Sequence, residues 1–204
     1  MTDQEAPLAA IDLGTNSFHL VVARPTGNNR FDILDREKEV VRLGSGSGDM
    51  KRLAPDAMDR GISALTRFRR LVDAAGAELH AVATSAVREA ENRDEFLDRA
   101  RDEAGVTVEV VSGVEEARLI HLGVLQAVPV YDERILVIDI GGGSVEFIIG
   151  AAGGEFVEAR SLKLGAIRMT ERFFADEPVR KRDLAEARRY IRAALTPAVR
   201  LVAD

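Results

Sequence analysis

Apolar residues recur along this chain in two rhythms, one of strands and one of helices. Ile11-Asp12-Leu13-Gly14-Thr15-Asn16-Ser17 is echoed 127 residues later by Ile138-Asp139-Ile140-Gly141-Gly142-Gly143-Ser144. An apolar run follows each copy, over 18–23 and 145–149. Each copy thus predicts a β-hairpin with an Asp-x-Gly turn and small polar residues at its tip. Two such hairpins, each with further strand signal behind it, point to a duplicated fold.

Between the copies the pattern predicts an α/β unit. A third strand is expected over 31–43, then a loop over 44–48. Pro55 opens a helix whose stripe is Met58, Ile62, Leu65, Phe68 and Val72, ending near Gly76. A short strand follows over 79–83. Asn92-Arg93-Asp94-Glu95 has the form of a capping box before Phe96, with Gly105 as the stop. Val106, Val108 and Val110 alternate as in a strand, and Ser112 opens a helix to about Ala127. This predicts a first domain over 1–130 with a mixed five-stranded sheet. The second domain, 131–204, repeats the beginning: strands over 135–140, 145–149 and 156–163, then helices over 166–174 and from about Asp183. The rest of a second copy is not reached by Asp204, so the sequence is expected to be a fragment with a truncated second domain.

A hydrophobic fraction of 46% supports a packed core. The net charge of −6 argues against non-specific nucleic-acid binding and means that a polyanionic substrate needs local donors or metals. The one basic stretch, Arg180 to Arg200, reads as a solvated helix face. With no cysteine there is neither a disulfide nor a thiolate metal site. No apolar run approaches the roughly 20 residues of a membrane span. No signal peptide is visible either, so no membrane association and a cytoplasmic location are expected.

The hairpin tips carry the candidate chemistry. Consecutive glycines Gly141, Gly142 and Gly143 let backbone N–H groups form an anion nest, and Ser144 adds a hydroxyl. Asp139 and Glu146 supply hard oxygens suited to Mg²⁺ bridging phosphate. The plainer reading, a glycine-rich turn, is weakened by the flanking acids and the second hairpin. At the first tip, Thr15, Asn16 and Ser17 offer donors to phosphate, though such side chains also make local turns. Asp12 is either a second metal or water-positioning acid or a turn-stabilising one. Ser112 and Glu115 have capping-box spacing, which gives Glu115 a structural task. Glu116 lies about 100° further round the helix. It is the better candidate for a general base, against the plainer reading of a solvated helix acid. Arg88, just beyond a strand, can contact phosphate or pair with Glu89 or Glu91. His19, His80 and His121 lack metal-ligand spacing and read as structural. No P-loop motif is present.

Five segments in order resemble the exopolyphosphatase / guanosine pentaphosphate phosphohydrolase family. They are Ala10–Leu20, Ala83–Ala90, Ser112–Ile120, Asp139–Glu146 and Ser161–Ala166. The resemblance implies an actin-like ATPase, ribonuclease-H-like duplicated α/β fold with its active site in the interdomain cleft. It implies Mg²⁺-dependent removal of terminal phosphate from inorganic polyphosphate, or of the 5′ γ-phosphate of guanosine pentaphosphate, and a homodimer. It places the catalytic glutamate on Glu116, metal acids on Asp139 and Glu146, and the phosphate loop on Gly141 to Ser144. Where many relatives have Thr after that serine, this chain has Val145, losing a hydroxyl but no backbone donor. Two rival readings are an actin-like kinase using ATP, and a non-catalytic sensor of polyphosphate or a guanosine alarmone.

Overall fold

The computed structural model describes residues 6–27, 30–46, 50–174 and 178–203. Its contacts divide the chain into two compact units between Val110 and Val111.

In the first unit, β1 (Leu8–Leu13), β2 (Ser17–Gly27) and β3 (Arg30–Val40) form an antiparallel meander. On its other side β1 pairs in parallel with β4 (Glu78–Ala83), which pairs in parallel with the two-residue β5 (Glu109–Val110). The sheet order is β3-β2-β1-β4-β5, the mixed five-stranded sheet of the actin-like, ribonuclease-H-like fold. Strict alternation along β1 buries Ala9, Ile11 and Leu13. Helix α1 (Pro55–Ala75) lays its stripe of Met58, Ile62, Leu65, Phe68 and Val72 into the same core, and Gly76 ends it in the left-handed region.

Three local expectations change. Helix α2 (Ser85–Glu89) forms directly after β4, where no helix is signalled by period. Before α3 (Arg93–Ala104), Asn92 makes no cap. Its side chain is committed elsewhere: Leu53 N–H donates to Oδ1 at 2.8 Å, and Nδ2 donates to the Leu53 carbonyl at 3.0 Å. The alternating valines before Ser112 yield only the last two residues of strand, because Val106 is buried by packing rather than by pairing. The loop read at 44–48 lies partly outside the described residues.

In the second unit, β6 (Ile135–Ile140), β7 (Val145–Ala151) and β8 (Glu155–Leu162) repeat the meander in the order β6-β7-β8. Helix α4 (Gly113–Ala127) packs on β7 and β8, with His121 buried edge-on against Phe156 at 5.7 Å between ring centres. A boundary at 130 would group α4 with the first sheet; its packing groups it with the second. Helices α5 (Ala166–Phe173), α6 (Lys181–Ala194) and α7 (Thr196–Ala203) follow. Val145, Leu164 and Met169 form the core there, with Phe147, Tyr190, Ile191 and Leu195 packed against them. Among the described residues no helix is long and apolar enough to cross a membrane.

Candidate active site

The site grows from the β6–β7 hairpin. Its strands close at Ile140 opposite Val145, leaving Gly141 to Ser144 as the turn. The Gly141 N–H donates to the Ser144 carbonyl at 3.0 Å and shuts the turn. The other three carbonyls accept from the start of α5. Ala166 N–H donates to Gly141 at 2.9 Å, Ile167 N–H to Gly142 at 2.9 Å, and Gly165 N–H to Gly143 at 3.2 Å. Arg168 adds its backbone N–H to Gly142 at 3.2 Å and its Nε to Gly143 at 2.9 Å. The N–H groups of Gly142, Gly143 and Ser144 meet no protein acceptor among the described residues. Three adjacent donors without acceptors are the raw material of an anion site.

Carboxylates stand beside this turn. Asp139 on β6 and Glu146 on β7 are direct cross-strand partners, so they project from the same face of the hairpin. Asp139 is exposed, whereas Glu146 is only 1% exposed. Ser161, opposite Glu146 on β8, donates its hydroxyl to Oε1 at 2.7 Å. Burial pushes the Glu146 carboxyl up to about 7, and the negative charge of Glu116 pushes in the same direction. Hydrogen bonds from Ser161 and Ser144 oppose that rise, and Asp139 adds to it. Glu116 and Asp139 therefore each lie within electrostatic reach of Glu146.

Helix α4 delivers Glu116. Ser112 is its N-cap and accepts the Glu115 N–H at 3.1 Å. The reciprocal half of the expected capping box is absent: the Glu115 carboxylate instead accepts from Nε and Nη2 of Arg118, at 2.8 and 2.7 Å. That hydrogen bonding holds the Glu115 carboxyl below its ordinary range. Glu115 keeps a structural task, through a different partner, and half-buried Glu116 is the acid whose charge reaches Glu146.

Among the described residues no three His, Cys, Asp or Glu side chains converge to hold a metal by themselves. The adjacent Asp139–Glu146 pair suits the mode in which one or two carboxylates share Mg²⁺ with phosphate oxygens and water.

The first unit holds the other candidates. Asp12 on β1 is exposed and pairs across the hairpin with His19, the positions matching Asp139 and Glu146. The first copy thus carries one acid where the second carries two. Burial, then the charge of Lys38, lowers the pKa of His19, whose Nε2 lies 3.1 Å from the Ser17 hydroxyl. Thr15 is buried with its hydroxyl 2.8 Å from that of Ser85, tying the tip to α2. The Asn16 carbonyl accepts from Val41 and Arg42, and Ser17 is buried. Arg88 lies half-buried in the last turn of α2.

Sequence reasoning passed over Ser161, Gly165, Arg168 and Ser85 as individual residues. Ser161 and Gly165 sit in a segment noted only for resemblance, and Arg168 reads as one more helix arginine. Their tasks come from contacts 15 to 70 positions away.

The sequence profile of the Ppx/GppA phosphatase family matches residues 21–204. An exopolyphosphatase from Cytophaga hutchinsonii is 38% identical with a TM-score of 0.89; the match covers 96% of this chain and 62% of that one. The Aquifex aeolicus PPX-GPPA enzyme is 30% identical with a TM-score of 0.74, over 95% of this chain and 64% of its own. The ethanolamine utilization protein EutJ of Carboxydothermus hydrogenoformans, 16% identical with a TM-score of 0.51 over 98% of this chain and 69% of its own, shares the fold alone. The chain spans less than two thirds of the length of the first two proteins. With the hairpin, the glycine turn and the ordered segments in place, this chain belongs to the Ppx/GppA phosphatase family.

Proposed function

We propose that this chain carries the catalytic centre of a hydrolase that removes the terminal phosphate of inorganic polyphosphate. The observation that supports this most is the conjunction at β6–β7: three N–H donors that meet no acceptor among the described residues, on a hairpin that carries Asp139 and Glu146, with the charge of Glu116 in reach of Glu146. Donors suit the phosphoryl oxygens, and carboxylates suit the water and a cation. In this reading the turn holds the terminal phosphoryl group. Glu116 accepts a proton from water as its oxygen bonds to phosphorus in line. The P–O bond to the chain breaks, giving orthophosphate and a chain one unit shorter. Asp139 and Glu146 would hold a divalent cation, Mg²⁺ by the oxygen chemistry of the donors, whose charge neutralises phosphate oxygens when it is bound. Guanosine pentaphosphate presents the same terminal phosphoanhydride and is the second substrate to test.

The test is phosphate release by full-length protein from long polyphosphate and from guanosine pentaphosphate, with and without Mg²⁺. Release from neither sinks the reading, and tight binding without release favours the sensor. Glu116→Gln is expected to lower kcat by roughly 10²- to 10⁴-fold with little change in KM. Near-normal turnover in that variant removes Glu116 from the role of base.

A further inference from the structure

The glycine turn does not orient itself. A trans peptide is planar, so the carbonyl of one residue and the N–H of the next point in opposite directions. The carbonyls of Gly141, Gly142 and Gly143 are all drawn to the start of α5. The N–H groups of Gly142, Gly143 and Ser144 must then face away from α5 together. Of the five bonds that draw those carbonyls, four come from backbone N–H groups and one from a side chain, that of Arg168. Arg168 is 2% exposed. Burying a guanidinium is costly unless it is well bonded. Its bond to Gly143 is charge-assisted and stronger than a neutral one.

Space enforces the same arrangement. The φ of Gly165 is an ordinary −60°. Yet a Cβ there would lie 2.3 Å from the Gly142 carbonyl carbon and oxygen and from the Gly143 nitrogen. Glycine is required at 165 because the turn presses directly on it.

We propose that Arg168 is a positioning residue for anion binding. Bonded to the Gly143 carbonyl and aided by the close fit at Gly165, it keeps the N–H groups of Gly142, Gly143 and Ser144 in one array that receives a phosphate-class anion. The role rests on the functional reading above, and it concerns a residue that touches no substrate.

The experiment uses full-length protein labelled with [¹⁵N]glycine and titrated with inorganic phosphate, alongside polyphosphate kinetics for Arg168→Met. In unsubstituted protein the Gly142 and Gly143 amide resonances are expected to shift most. In Arg168→Met those shifts should be lost or need about tenfold more phosphate. Its kcat/KM should fall about 10- to 100-fold, as misplacement of a reacting group does. The unfolding temperature of each protein identifies any variant that has merely lost its fold. The unsubstituted titration needs no variant at all: indifferent Gly142 and Gly143 amides overturn the proposal. So does a folded Arg168→Met with unchanged kinetics and shifts. If neither substrate is hydrolysed but those amides still answer to phosphate and depend on Arg168, the proposed function fails and the positioning role stands.

Discussion

Glu146 is the residue where burial and neighbouring charge act together. Its carboxyl has an ordinary pKa of 4.5 and titrates at about 7 in the fold. Between those values the folded chain binds its proton more tightly than the unfolded chain does. Stability therefore falls as pH rises through that window, the reverse of the usual paired carboxylate. In chelator-treated protein, Glu146→Gln should change stability little near pH 4.5 and raise it relative to unsubstituted protein near pH 8. Thermal unfolding of both proteins across pH checks this, and parallel curves would show that Glu146 is not strained. At this scale the acids were readable because they flank a glycine run in one short motif. Ser161 was not, since a lone serine in a strand carries no sign that a buried carboxyl 15 positions away accepts its hydroxyl.

Helix α4 connects the residue scale to the element. Ser112 satisfies an otherwise orphaned N–H at the helix start, four residues before Glu116. Ser112→Ala should cost about 1 kcal/mol, read by chemical denaturation. It should also lower kcat while Ser112→Asp, another good cap, restores both. A loss of stability with kcat untouched would separate the cap from the placement of Glu116. The start of α4 was readable because its signal is local. Asn92 shows the limit: the same kind of local signal fails when Leu53, 39 positions away, takes the side chain. The alternating valines fail similarly, because a docked coil buries apolar residues as well as a strand does. Helix α4 falls in the second contact unit, packed on β7 and β8, a grouping that sequence does not carry because it shows where a helix starts, not which sheet it will cover.

For the whole molecule the repeat carried most of the information. Two hairpins 127 residues apart predicted two meanders of the same direction, and both are present. The repeat does not make them equal. Strand β1 is central, between β2 and β4, whereas β6 is an edge. Leu136, Ile138 and Ile140 on β6 are exposed, Ile140 at 69%, along a groove of about 710 Å³ shared with Val199 and Val202. Exposed apolar edges favour association. The 204-residue chain is therefore expected to bind an apolar fluorescent dye and to sediment heavier as concentration rises. Ile140→Lys should reduce both effects, and identical behaviour of the two proteins would remove the edge as the cause.

The grip of α5 on the glycine turn has a thermodynamic consequence. The direction of each peptide plane is decided while the chain folds, so an anion arriving there has no loop to order. The entropy lost on binding is then confined to the anion itself, and the water it releases offsets part of that loss. Binding to a preorganised turn of this kind should show a small heat-capacity change and little dependence on denaturant short of unfolding.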